Sequence, residues 1–235
     1  MNALYLCRME IEIIHDRIPL EPMSPEVFDQ FMEKGWRILG YVILRHSAVV
    51  YNDEVVITIP LRIKMNGFAF SKSQRKILKT HKADFQYKVQ KIALTKEKND
   101  LFLKHCNRFR FGNHYTHLST FITEDSGDIP VPGYEIEVYD GNKLIACSYF
   151  HIGSNSFCGT YCFFDPDYNK HSLGAFTMLL ELEIAQQMGK EFYYSGYVHH
   201  TPSQFDYKLN FNNLEQMNWG NEEWQPQVRI PLGGL

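Results

Sequence analysis

Residues 157–176 read FCGTYCFFDPDYNKHSLGAF, and the fold turns on how this passage is divided. Phe157 to Phe164 is an apolar run of strand length. Asp165-Pro166-Asp167 stops it, because proline has no N–H to give to a ladder. From Ser172 the apolar period changes to 3.6: Leu173, Phe176, Leu180 and Ile184 form one stripe, with Leu179 beside it, and Gly189 ends the helix after Met188. Upstream, Tyr134 to Tyr139 alternates with period two, Asp140-Gly141-Asn142 is a hairpin turn, and Lys143 to Ile152 is a second strand. Downstream, Phe192 to Tyr197 is a further buried strand. The order is strand, strand, strand, polar loop, helix, strand.

The first third of the chain is organised differently. Ser24-Pro25-Glu26 opens a helix that runs through Lys34 to Gly35, with Ser24 as cap and Pro25 in the first turn. Tyr41–Leu44 and Glu54–Met65 read as strands, the second closed by Asn66-Gly67. Ser71 to about Gln90 reads as one basic helix, and Lys96–Cys106 as another. There are no repeats and no Gly/Ser linker, so the expected division, 1–68 and 69–235, is a tight one.

The chain has 235 residues, 44% of them hydrophobic and 14% aromatic, which supports an ordered core. No apolar run approaches the roughly 18 residues of a membrane span, and charges appear too early for a secretory signal, so a cytoplasmic protein is expected. Five cysteines (Cys7, Cys106, Cys147, Cys158, Cys162) without a C-x-x-C pair argue against disulfides in that compartment. Net charge is −3, but it is unevenly spread. Between Arg62 and Lys98 eleven basic residues face two acidic ones, a local balance of +9 against −12 elsewhere. Lys72, Arg75, Lys76 and Lys79 fall at i, i+3, i+4 and i+7, on one helical face. Such a face is either a solvated helix surface or a track for RNA phosphates.

Several passages carry a resemblance. Tyr161-Cys162-Phe163-Phe164-Asp165-Pro166-Asp167, Ser172-Leu173-Gly174-Ala175-Phe176, Tyr193-Tyr194-Ser195-Gly196-Tyr197 and Tyr207-Lys208 follow one another in order. Before them come Gly35-Trp36-Arg37 with Gly40, and Phe70-Ser71-Lys72-Ser73-Gln74-Arg75-Lys76. Together they resemble the arginyl-tRNA protein transferases and their bacterial leucyl-transferring relatives, over roughly Glu33 to Glu215. The resemblance implies an α+β fold: a GNAT-like acyltransferase lobe of mixed sheet and flanking helices, plus a smaller N-terminal α/β lobe. It also implies transfer of Arg or Leu from an aminoacyl-tRNA to the N-terminal amine of an acceptor protein, beginning with Asp or Glu. Family members carry N-terminal cysteine pairs; here Arg45-His46-Ser47-Ala48-Val49-Val50-Tyr51 has none, so no metal or other cofactor is expected. A Lys-Met pair of the family is replaced by Gln204-Phe205 ahead of Tyr207.

An aminoacyl ester is already activated, and an α-amine with a pKa of about 7.7 to 8.0 is partly neutral at cytosolic pH. The protein must therefore juxtapose amine and ester and stabilise an oxyanion, and no triad is required. With the resemblance, Asp165, Tyr161 and Tyr197 are the catalytic candidates. Ser172, Tyr194 and Lys208 are candidates for holding the aminoacyl group or terminal nucleotide, and Lys72, Arg75, Lys76 and Lys79 for holding tRNA. Each has a plainer reading as turn, cap, core aromatic or surface cation. His199-His200 could shuttle protons or simply be exposed. His105, Cys106, His114 and His117 match no established zinc spacing. Two rival readings remain: a CoA-dependent acetyltransferase, against which stands Phe176 where that family's Gln/Arg-x-x-Gly-x-Gly/Ala loop needs a small residue, and a non-catalytic RNA- or peptide-binding relative.

Overall fold

The computed structural model describes residues 13–51, 53–108 and 115–227. Its centre is a sheet in the order β12-β11-β5-β10-β9-β8-β7-β6. These are β5 (Glu54–Lys64), β6 (Gln86–Lys91), β7 (Gly133–Asp140), β8 (Lys143–Ile152), β9 (Ser156–Phe164), β10 (Phe192–His199), β11 (Leu214–Asn218) and β12 (Glu223–Pro226). β4 (Ala48–Tyr51) forms a hairpin with β5. A separate small sheet joins β1 (His15–Pro19), β3 (Val42–His46) and β2 (Arg37–Leu39). The sheet is mixed: β9 and β10 run parallel, joined by a helical crossover, while β8 and β5 pair antiparallel on either side of them.

Alternation along the strands sorts side chains to two faces. On one face Phe157, Tyr193 and Phe150 pack under α2 (Lys72–Asp84) and the crossover helix α4 (Leu173–Gln187). On the other, Cys158 and Tyr194 meet α1 (Pro25–Glu33), and Tyr149 and Phe163 meet α3 (Lys96–Cys106). α4 is buried nearly all round over its middle turns, which accounts for an apolar surface wider than one stripe. α1 has the expected Ser24 cap, and Ser71 and Gln74 close a capping box at the start of α2.

One sequence expectation changes. The basic helix does not continue to Gln90: it ends at Asp84, and Gln86–Lys91 pairs along its whole length with β7. Tyr87 and Val89 alternate with Lys88 and Gln90, a strand pattern that the lysine content concealed. β5, which precedes residue 68, lies in the main sheet between β11 and β10. Cys7 and His114 fall outside the described residues.

Under α3 the structure buries an ionic cluster. Lys98, 1% exposed, lies 2.5 Å from Glu135 and 2.7 Å from Glu137, both on β7, and also donates to the Ala93 carbonyl. Burial raises the Glu135 carboxyl, whereas at Glu137 hydrogen bonds from Lys88 and Lys98 outweigh burial and hold it at about 2. Removing the shared cation leaves two carboxylates in the interior, so Lys98→Ala is expected to cost about 3 to 5 kcal/mol. A urea titration reads this as a lower midpoint at unchanged slope; a loss below about 1 kcal/mol would mean that the carboxylates find water.

Candidate active site in the cleft between two diverging strands

β9 and β10 pair over only three residues, Phe192↔Ser156, Tyr193↔Phe157 and Tyr194↔Cys158. Beyond that point they separate, and β10 shifts register against β5 between Tyr194 and Gly196. The opening is a cavity of about 340 Å³. Its walls come from β2 to β4 on one face of the sheet and from α4 with the loop after β10 on the other.

A glycine on each strand marks the vertex. At Gly159 a Cβ would stand 2.8 Å from both Glu181 Oε2 and the Tyr193 hydroxyl. At Gly196, with φ at +96°, a Cβ would overlap Arg37 Nη1. A carboxyl group therefore enters the sheet from the α4 face, and a guanidinium from the opposite face. Glycine in a strand interior commonly marks such a close approach.

Glu181 is 4% exposed and accepts a 2.6 Å hydrogen bond from the Tyr193 hydroxyl. Burial raises its pKa to about 7, against the opposing pull of Tyr193, Ser148, Lys208 and Arg37. With Gly174, Thr177 and Met178 it forms the cleft face of α4, at i, i+3, i+4 and i+7. Arg37 Nη2 donates to the Gly159 and Thr160 carbonyls at 3.2 and 3.1 Å.

The turn of 3₁₀ helix at Asp206–Asn210 supplies Tyr207 and Lys208. Gln74 Nε2 of α2 donates to the Asn210 carbonyl at 3.0 Å, tying the start of the basic helix to the turn. Lys208 Nζ donates to the Tyr197 carbonyl at 3.3 Å. Burial, then the Arg37 charge, lowers its pKa to about 7. Burial likewise lowers His46 to about 4 and raises the Tyr161, Tyr193, Tyr197 and Tyr207 phenols, so these hydroxyls stay protonated at neutral pH.

Of the candidates read from sequence, Tyr161, Tyr197 and Lys208 line the cleft. Tyr161 stacks on Phe121 at 4.1 Å, and Tyr197 donates to the Gly35 carbonyl. Three others stand away from it. Asp165 is 1% exposed and ion-paired to Lys104 at 2.6 Å and Lys143 at 2.7 Å; their hydrogen bonds outweigh burial and hold it at about 2. Its carboxylate also caps the following turn through the Asp167 amide. Tyr194 points to the α1 face, 5.7 Å from the Trp224 ring, because alternation sends its neighbour Tyr193 to the cleft. Ser172 precedes α4 in left-handed backbone, φ 49°, and its side chain makes no cap. Lys72, Arg75, Lys76 and Lys79 are exposed along α2 as spaced.

His199 lines the cleft against Tyr51, while His200 accepts from the Ile57 amide. His105 is engaged by the Phe164 backbone. Arg37, Thr177, Glu181 and Tyr193 were not among the candidates. The legible signal was Glu181, a carboxylate set among Leu179, Leu180 and Leu182 on the buried stretch of the helix, whereas Glu183 pairs with Lys82.

A mixed sheet opened between parallel neighbours, with a crossover helix at the gap, defines a GNAT-like acyltransferase fold. The C-terminal domain of a putative lysylphosphatidylglycerol synthetase from Agrobacterium fabrum shares this fold with a TM-score of 0.50 and 11% identity, over 79% of this chain and 54% of that one, so the chain spans about half its length. The profile of the family "Arginine-tRNA-protein transferase, C terminus" matches residues 79–218, and the chain belongs to that family. Similar full-length relatives are called aspartate/glutamate leucyltransferase. The one from Campylobacter jejuni is 24% identical over 89% of this chain and 87% of its own; that from a Shewanella species is 29% identical over 80% and 77%. No described helix is long and apolar enough to cross a membrane.

The folded chain keeps the Glu181 proton between its ordinary 4.5 and about 7, where the unfolded chain has lost it. The Glu181 component of stability is therefore expected to fall by about 3 kcal/mol as pH rises through that window and to level off above 7, against an opposite rise from His46, His105 and His151, which burial holds at about 4. Lys208 acts only above pH 7, so the two do not overlap. In Glu181→Gln this component should vanish from denaturation midpoints measured between pH 4.5 and 7; an unchanged slope would show that Glu181 is ionised throughout.

Proposed function

We propose that the cleft moves an aminoacyl group, leucyl in preference to arginyl, from tRNA to the α-amine of an acceptor protein beginning with Asp or Glu. The observation that carries this reading is the opening between β9 and β10, with a carboxyl group of pKa about 7 at its vertex. Leucyl is favoured by the apolar wall of Leu39, Leu44, Val49, Phe121 and Met178. An arginyl side chain would need an anion, and among the described lining residues the one acid is Glu181. The relatives' names point the same way.

In the reaction the acceptor nitrogen attacks the ester carbonyl carbon. Glu181, ionised, takes the proton that the nitrogen sheds, and Tyr193 steadies the carboxylate through its hydroxyl. The protonated Tyr207 hydroxyl and the cationic fraction of Lys208 donate to the oxyanion. As the tetrahedral adduct collapses, the C–O bond to ribose breaks and the ribose oxygen takes the proton from Glu181. One amide is made, one ester is lost, and one proton has moved from nitrogen to oxygen. The basic face of α2, tied to the same cleft through Gln74, suits the acceptor-stem phosphates. A CoA-dependent reading is disfavoured by Phe176, which is fully buried where pyrophosphate would approach backbone.

Purified protein given leucyl-tRNA is expected to label a peptide beginning with Asp, with arginyl-tRNA a poorer donor; no transfer from either would sink the proposal. Glu181→Gln should lower kcat by roughly 10² to 10⁴ and remove the inflection at about pH 7, leaving only the rise set by the acceptor amine at about 7.7 to 8.0. Replacing Arg75, Lys76 and Lys79 with Ala should weaken tRNA binding and reduce its salt dependence, which filter binding across a salt series reads directly. A salt slope equal to wild type would assign that face to something else.

A further inference from the structure

The cleft holds one guanidinium that the transfer chemistry does not use. Arg37 lies at the start of β2, on the sheet face opposite α4. Nη2 is spent on the Gly159 and Thr160 carbonyls, the first residues of β9 beyond its last pair with β10. Nε is buried without a partner, and among the described residues Nη1 has no hydrogen-bond acceptor and the side chain no ion pair. The guanidinium is 5.6 Å over the Tyr197 ring, and Gly196 leaves the space that Nη1 occupies.

The charge is therefore held in place but not balanced. The titratable groups within electrostatic reach of it are His46 from β3, Cys158 from β9, Tyr197 from β10, Tyr207 and Lys208 from the following turn, and Glu181 from α4. Two of these are cationic or neutral nitrogen groups pushed toward neutrality by burial, and the single carboxyl keeps its proton below about pH 7. A half-buried guanidinium with no ion pair among the described residues is costly, and a ligand carboxylate offsets that cost through a charge-assisted hydrogen bond. One donor group remains available, Nη1: Nε is buried and its N–H lies along the other edge of the guanidinium, so a ligand carboxylate meets Nη1 through a charge-assisted hydrogen bond to one oxygen.

Three parts of the reactants could meet this group. The donor's α-ammonium is repelled by it, and its own carboxyl is esterified. An RNA phosphate is set back from the ester by the terminal ribose, whose oxygen the proposed reaction places at Glu181, on the α4 side of the sheet. The acceptor's first side chain is of the right size and sign. Resting on the aminoacyl-transfer reading of this cleft, we propose that Arg37 is the specificity-determining residue that receives the side-chain carboxylate of an acceptor's N-terminal Asp or Glu. The acceptor enters from the β2–β4 face, across the sheet from Glu181, and its α-amine is left facing the ester.

The test compares two peptides identical except for a first residue of Asp or Asn, at saturating leucyl-tRNA. Wild type is expected to prefer Asp over Asn by roughly 10²-fold in kcat/KM, because an amide leaves the guanidinium unbalanced. Arg37→Gln should bring that ratio to within about threefold of unity, through the peptide KM, with the KM for leucyl-tRNA unchanged. Arg37→Lys keeps the charge but not the planar group that Nη2 anchors to β9, and should give an intermediate ratio; it decides the matter if the glutamine variant does not fold. Equal losses for both peptides would reduce Arg37 to a structural pin, and a raised KM for leucyl-tRNA would assign it to RNA; either result overturns the proposal. Calorimetric titration of the same peptides without tRNA separates this inference from its premise. Asp-selective binding that Arg37→Gln abolishes, with no transfer by wild type, would sink the transfer reading and leave the carboxylate site standing. Transfer with the Asp/Asn ratio intact in Arg37→Gln would do the reverse.

Discussion

The separation of β9 from β10 is the constraint on which the rest of the molecule depends. Parallel strands need a long crossover, and here the crossover is α4, which both links the pair and roofs the space they leave. Three paired residues keep the strands in one sheet, and beyond them each backbone is free to turn its groups toward the gap. In the vertex the Gly159 and Thr160 carbonyls would lack partners in an ordinary ladder; Arg37 supplies their donors. The polar residues of the cleft are thus part of what makes an open sheet tenable.

Opposite charges placed on opposite faces follow from the same opening. Glu181 is carried by α4 and Arg37 by β2, and the two reach the sheet plane because Gly159 and Gly196 have no side chain in the way. Burial then sets the titration behaviour. The carboxyl is raised toward 7 and the Lys208 amine lowered toward 7, so both can exchange a proton near neutrality without a dedicated triad. An activated ester asks for little more than position, proton transfer and donors for an oxyanion.

The ionic cluster of Lys98 with Glu135 and Glu137 and the pairs of Asp165 with Lys104 and Lys143 lie outside the cleft. Their role is to fasten α3 and the end of β9 to the sheet. Asp165 illustrates a general hazard: an acid just past a strand end, in a passage shared with relatives, looks catalytic in sequence, yet two lysines from other elements already satisfy it.

Much of the fold was legible in one dimension. Period-two alternation, the Asp-Pro break, the 3.6 period from Leu173 and the stop at Gly189 determined the order of the C-terminal elements, because these signals are local. The basic face of α2 and the cleft positions of Tyr161, Tyr197 and Lys208 could also be read. What sequence did not determine was which strand neighbours which, and hence that β5 sits beside β10 and that Gln86–Lys91 is a strand pairing with β7. Nor did it show that Tyr193, not Tyr194, faces the cleft, since a one-residue shift in register exchanges the two faces. Arg37 and Glu181 are 144 positions apart in the chain. Only the tertiary structure brings them to one vertex, because burial, and with it the charge state of each group, is a property of the packed sheet and not of either residue's neighbours in sequence.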